Sequence, residues 1–127
     1  MTARFDEKQG LIILAARIWG PTGRVVLRVA LDTGATSTIV NVGLLVAAGY
    51  DPAIAPDRVQ VTTGSGVEFA PRVLVSRIAV LGEERTRFSV LAHTLPPTAG
   101  VDGLLGLDFF RDRHVVVDFR SGQVTLS

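Results

Sequence analysis

The sequence predicts a single all-β domain with one or two short helices, and three observations lead there. Apolar segments are of strand length, and Gly or Pro residues punctuate them. Val25, Leu27, Val29 and Leu31 alternate with Val26, Arg28 and Ala30, a period of two that lays one apolar face along a strand. No repeat, linker or low-complexity stretch divides residues 1–127.

Taken in order, Leu11 to Trp19 reads as a strand, and Pro21-Thr22-Gly23 as a turn folding it onto Arg24 to Leu31. A brief strand, Thr38 to Val40, precedes Asn41, whose side chain suits the N-cap of a helix over Val42 to Ala48 that Gly49 ends. Pro52 and Pro56 mark a loop. Arg58 to Thr62 is a strand, Thr63-Gly64-Ser65-Gly66 a hairpin tip, and Val67 onward the return. Arg72 to Val80 and Thr86 to Ala92 are strands around a Leu81-Gly82-Glu83-Glu84 turn, and Pro96 to Gly100 is loop. Leu107 to Asp112 reads as a helical turn. His114 to Phe119 and Gln123 to Leu126 close the chain as a hairpin around Arg120-Ser121-Gly122.

Composition bounds the function. Hydrophobic residues make up 47% of the 127, enough for a globular core. Thirteen Lys and Arg face twelve Asp and Glu, a formal net charge of +1, so the sequence shows no basic excess and the expectation is no nucleic-acid partner. Cysteine is absent, which excludes disulfides, thiolate chemistry and Cys-based zinc sites, and fits a reducing, cytoplasmic setting. Leu11 to Ala16 falls far short of the ~20 apolar residues a membrane helix needs. His93 and His114 stand apart without ligand spacing, so no metal or other cofactor is expected.

Asp32-Thr33-Gly34-Ala35 is the segment with chemistry in it. It follows the apolar run Val25 to Leu31 and precedes Ile39-Val40, so it sets a carboxylate on a tight turn at a strand end. Burial disfavours a charged carboxylate, so an acid there needs hydrogen bonds, a partner or a function. Two further segments follow in order: the Gly-rich hairpin tip at Thr62 to Gly66, and Val101-Asp102-Gly103-Leu104-Leu105-Gly106-Leu107-Asp108-Phe109-Phe110. Together these resemble the retropepsin-like aspartic proteases, the single-lobe relatives of the pepsins.

The resemblance implies a closed or partly open β-barrel lobe working as a twofold homodimer, because the chemistry takes two carboxylates and this chain offers one suitable copy. It places the catalytic loop at 31–37, the flap at 61–68 and the apolar-apolar-Gly strand with its helix at 101–112. Asp32 is then the catalytic acid, paired with its copy on an identical chain, and an extended polypeptide is the substrate. Thr33 would reach the partner's turn, and Gly34 would let the backbone approach dyad and substrate. Ala35 stands where pepsins carry a hydroxyl, which implies a milder pH optimum. Thr63, Gly64, Ser65 and Gly66 would close over the cleft, Leu104 and Leu105 would line it, and Gly106 would make room for the loop. The retroviral members pair an acid four residues past the catalytic Asp with an Arg after the Gly motif. Here those positions are Thr36 and Leu107, which brings the chain nearer the bacterial members.

Other readings stand beside this one. Asp32 also suits a plain turn. A retropepsin-fold dimerisation or peptide-binding module that does not cleave, and a small β-barrel around a hydrophobic ligand, are the rivals from other classes. Asp102 reads as a turn residue, Asp108 as a helix cap, and Phe109 and Phe110 as core. Ser37 and Ser65 have no His-Asp set for a serine hydrolase. Glu83-Glu84 with Arg85 and Arg87 reads as a solvated hairpin end, and Trp19 and Tyr50 carry no assigned role.

Overall fold

The computed structural model describes residues 1–63 and 66–127. Ten strands carry it: β1 (Thr2–Arg4), β2 (Ile13–Gly20), β3 (Gly23–Leu31), β4 (Ile39–Val40), β5 (Arg58–Thr63), β6 (Gly66–Val80), β7 (Glu83–Ala92), β8 (Gly103–Leu105), β9 (Val115–Asp118) and β10 (Gln123–Leu126). One α-helix, α1 (Val42–Ala47), and three 3-10 turns at Pro52–Ile54, Pro97–Ala99 and Leu107–Phe110 complete the described elements. Strands β2-β3-β8-β4-β7-β6 run side by side, and β6 pairs back onto β2, so the sheet closes into a six-stranded barrel. Closure satisfies the backbone groups that an open edge would leave unpaired. β5 extends from β6 as a hairpin, and β1-β10-β9 form a separate three-stranded sheet.

The alternation read along β3 holds from Arg24 to Val29, where Leu27 and Val29 are buried while Arg24, Val26 and Arg28 are exposed, and it ends at Ala30, which is buried although it lies on the other face. Phe109, Ile18, Leu27, Leu45, Ile78, Leu105 and Val124 belong to one main hydrophobic core, to which the barrel strands, α1, the last 3-10 turn and β10 all contribute. A smaller cluster of Ile39, Ala70 and Leu91, with Val59, Val61, Leu95 and Leu104 against it, lies beneath the β5–β6 hairpin.

The elements differ from expectation where partners decide. Gly66 to Val80 is one strand rather than two, because Pro71 falls where β6 changes partner. Its pairing with β5 ends at Arg58↔Pro71 and its pairing with β7 starts at Arg72↔Leu91. A proline is tolerated at such a handover because no ladder bond needs its missing N–H. The next turn is only Leu81-Gly82, with Val80 paired to Glu83 and φ of 55° and 75° at the central residues, a primed hairpin turn. Leu81 accepts that left-handed backbone while its side chain is buried. Asn41 does not cap α1 with its side chain. Its Oδ1 accepts the Leu95 N–H at 2.9 Å instead, tying the helix start to the far loop. β1 was not anticipated. Its three residues carry no pattern, and their partner β10 lies at the opposite end of the sequence.

Candidate active site

The loop after β3 is fixed from behind by β8, which lies between β3 and β4, parallel to the first and antiparallel to the second. The Asp32 N–H donates to Leu105 O (3.0 Å), continuing the β3–β8 ladder into the loop. The turn then closes on itself. Ala35 N–H donates to Asp32 O at 3.2 Å, and Gly34 N–H donates to the Asp32 carboxylate at 2.9 Å. A Cβ at Gly34 would sit 3.2 Å from that carboxylate oxygen, so a glycine suits this close approach.

Gly106 brings the strand behind the loop into contact with it. Its N–H donates to Thr38 Oγ1 (3.1 Å), and the next N–H, of Leu107, donates to Ala35 O (2.8 Å). Thr38 is fully buried, and its N–H and hydroxyl both donate to the Asp108 carboxylate, at 3.0 and 2.7 Å. Asp108 therefore does not cap the 3-10 turn it belongs to. It ties that turn to the C-terminal end of the Asp32 loop, and charge-assisted bonds of this kind are the stronger ones. Asp102 has a comparable task at the other end of β8, where its carboxylate accepts the Arg28 N–H at 2.8 Å.

Asp32 is half-buried on the wall of an open groove of about 440 Å³ that Ala35, Ile39, Val59, Val61, Leu91 and Leu104 line with apolar surface. Thr33 and Gly34 are exposed. Leu104 faces the groove, whereas Leu105 is completely buried in the barrel, so the expectation of both in the cleft is corrected. Neighbours in a strand point to opposite faces. Of the flap expectation, Thr63 and Gly66 are cross-strand partners at the end of the β5–β6 hairpin, and Gly64 and Ser65 lie outside the described residues. Val61, within the expected flap range 61–68, lines the groove, and Val59 two residues before it on β5 does so as well, which was not anticipated although their period of two is visible in the sequence. On the same hairpin, Glu68 lies 3.5 Å from Nδ1 of His93.

Three further expectations change. Arg85 is not solvated, since its guanidinium donates to Phe109 O at 2.9 Å and to Arg111 O at 2.6 Å, holding the end of the 3-10 turn behind the loop. Glu83 accepts from Arg113 at 2.9 Å, and that bond, more than any other influence, lowers its pKa below the ordinary glutamate range. Tyr50 acquires a role: its hydroxyl donates to Trp19 O (2.6 Å) and accepts the Ser76 N–H (2.8 Å), where β2 and β6 part. Among the described residues no cluster of three His, Cys, Asp or Glu could hold a metal ion, and no helix is long and apolar enough to cross a membrane.

A closed barrel lobe that holds an Asp-Thr-Gly loop on the wall of an open groove is the architecture of the single-lobe aspartic proteases. The comparisons agree. A model of the family described as "gag-polyprotein putative aspartyl protease" matches residues 22–112, and the chain belongs to that family. Among solved structures, the crystal structure of a retropepsin-like aspartic protease from Rickettsia conorii is similar with a TM-score of 0.74. It is 15% identical, over 99% of this chain and 88% of that one, and it shows the same fold. No curated protein matches the sequence.

Proposed function

We propose that two copies of this chain form an aspartic endopeptidase, with their Asp32 carboxylates meeting at a twofold axis. Two carboxylates a few ångströms apart do not both ionise, so they share one proton and titrate as a pair, the behaviour for which aspartic proteases are known. The ionised member takes a proton from the water between them, and the water oxygen bonds to the peptide carbonyl carbon. The protonated member hydrogen-bonds the carbonyl oxygen as negative charge develops there. The proton taken from water then passes to the leaving nitrogen as the C–N bond breaks, leaving one new carboxyl and one new amine.

The observation that carries this reading is the Asp32 carboxylate, oriented by the Gly34 N–H on the wall of an open groove of about 440 Å³ that has both apolar and polar residues in its lining. On the same reading Thr33 reaches the partner's loop, and the hairpin tip from Thr63 to Gly66 closes over the substrate. The groove lining favours hydrophobic residues beside the scissile bond. Ala35 brings no hydroxyl to the carboxylate, so the ionised form is less favoured and the optimum is milder than pepsin's.

The test is cleavage of a diverse peptide library between pH 4 and 7 by wild type and Asp32→Asn, with pepstatin added and the oligomeric state measured. Cleavage that needs Asp32 and a dimer, and that pepstatin blocks, supports the proposal. A folded dimer in which both proteins are equally silent refutes it in favour of a peptide-binding module.

A further inference from the structure

The strand register gathers arginines that the sequence scatters. Trp19 of β2 is directly opposite Arg24 of β3 on one side and Arg77 of β6 on the other. One step along the outer face, Arg17 is opposite Val26 and Ala79, and one step further Ala15 is opposite Arg28. Directly opposed residues share a face, so Arg17, Arg24, Arg28 and Arg77 all project from the same outer surface of the barrel. Strands ~4.8 Å apart, with alternate residues ~6.7 Å apart along each, make this a compact array. Its borders hold two carboxylates. Glu84 lies 3.7 Å from Arg77, and Asp102 lies against the Arg28 N–H. Like charges so close repel, and the formal charge of the whole chain is only +1, so the face is a local concentration of positive charge.

Its centre is a stacked pair. The Arg77 guanidinium lies 3.7 Å from the centroid of the Trp19 ring, and its side chain is still 39% exposed. A guanidinium over an indole face makes a cation–π pair, and its outer side is where a further planar group would stack. We propose that this face binds single-stranded nucleic acid, with Arg17, Arg24 and Arg28 on the phosphates and a base stacked on the Arg77–Trp19 pair. Guanidinium planes and aromatic rings are the usual platforms for unpaired bases, and arginine forks match phosphate oxygens. A duplex hides its base faces and would leave the stacked pair unused. A membrane surface fits less well, because Val26 is the large apolar side chain exposed on this part of the sheet and the indole is covered by Arg77. The overall charge balance predicts no nucleic-acid partner; the register changes that expectation by placing the cations together. The proposal does not depend on the Asp32 chemistry.

Trp19 is the only tryptophan, so its fluorescence reports the site directly. The experiment titrates Asp32→Asn protein with a fluorescein-labelled 20-nucleotide oligouridine in 50 mM salt, and with the unlabelled oligomer while following Trp19 emission. Expected are saturable binding, quenching of Trp19, and a log–log salt slope of about −2, as three phosphate contacts on a single strand give. Arg17→Gln/Arg24→Gln, which alters exposed positions only, should weaken binding about tenfold or more and flatten the slope by about 1.4. Polyglutamate, heparin and phosphatidylserine vesicles serve as anions without bases and should bind more weakly without quenching Trp19. The proposal is overturned by absence of oligonucleotide binding in 50 mM salt, by unchanged affinity in the double variant, or by any of the base-free anions binding as tightly with the same quench.

Discussion

Replacing Gly106 by alanine tests how the Asp32 loop is held. The backbone there is extended, with φ −91° and ψ −180°, so alanine meets no torsional objection. Space is the objection. A Cβ would sit 2.7 Å from Ser37 C, 2.8 Å from Ser37 O and 2.9 Å from Ala35 O, and all three are backbone atoms of the loop. Ordinary contact starts near 3.4 Å, so the loop would have to retreat by roughly half an ångström, and overpacking of this kind costs about 1–3 kcal/mol. The smaller entropy of the unfolded alanine chain returns about 0.4–1 kcal/mol. The net is about 1–2 kcal/mol, or a melting point lowered by about 4–8 °C for a domain of this size. Because Ala35 O also accepts the Leu107 N–H, the displacement passes to the turn that carries Asp32, and activity should fall about tenfold or more. Gly43 is the control. It lies within α1 with no atom near a Cβ, so Gly43→Ala should leave stability unchanged or raise it by up to about 1 kcal/mol. Calorimetric melts of the three proteins decide the matter. If Gly106→Ala melts with the wild type or with Gly43→Ala, the close packing of strand on loop is not what holds the site.

Thr38→Val deprives both the Asp108 carboxylate and the Gly106 N–H of a buried hydroxyl, and urea titration should show a loss of about 2–3 kcal/mol at unchanged m-value. Tyr50→Phe removes the acceptor of the Ser76 N–H and the donor to Trp19 O, and should cost about 1–2 kcal/mol in the same assay. Glu83 has its pKa depressed chiefly by the bond from Arg113, so its stabilising contribution is complete above the ordinary glutamate pKa and is lost as pH falls through the lower folded value. Arg113→Met should therefore lower the melting temperature at pH 7, and the gap from wild type should close as the pH is taken from about 4.5 downward.

What could be read from the sequence was local. The alternation along β3, the turn after β2 and the Asp-Thr-Gly segment each lie within a few residues, and each appears where expected. What could not be read lay in partnerships across the chain. Thr38 and Asp108 are 70 positions apart, so nothing near Asp108 distinguishes a loop tie from a helix cap. β1 exists only because β10 lies beside it. β6 runs through Pro71 only because its partner changes there. The assignment of both Leu104 and Leu105 to the groove was avoidable, since adjacent strand residues point to opposite faces. The arginine face is intermediate. Alternation alone turns Arg17, Arg24 and Arg28 outward, but only the register brings them beside Trp19 and Arg77.

The missing acid–arginine pair of the retroviral enzymes finds its counterpart a short distance away. Thr36 and Leu107 are both uncharged and exposed, so neither position holds an unmatched charge. The tie between the loop and the turn behind it passes instead from Thr38 to Asp108, two positions further along the loop and one along the turn. An exposed ion pair is weakened by salt and by the entropy of two long side chains, whereas here a short, fully buried threonine donates twice to one half-buried carboxylate. The loop is therefore shaped within a single chain. If a second chain is to complete the site, it need supply only the other Asp32 carboxylate and its own loop, already in the geometry that Gly34, Thr38 and Gly106 impose.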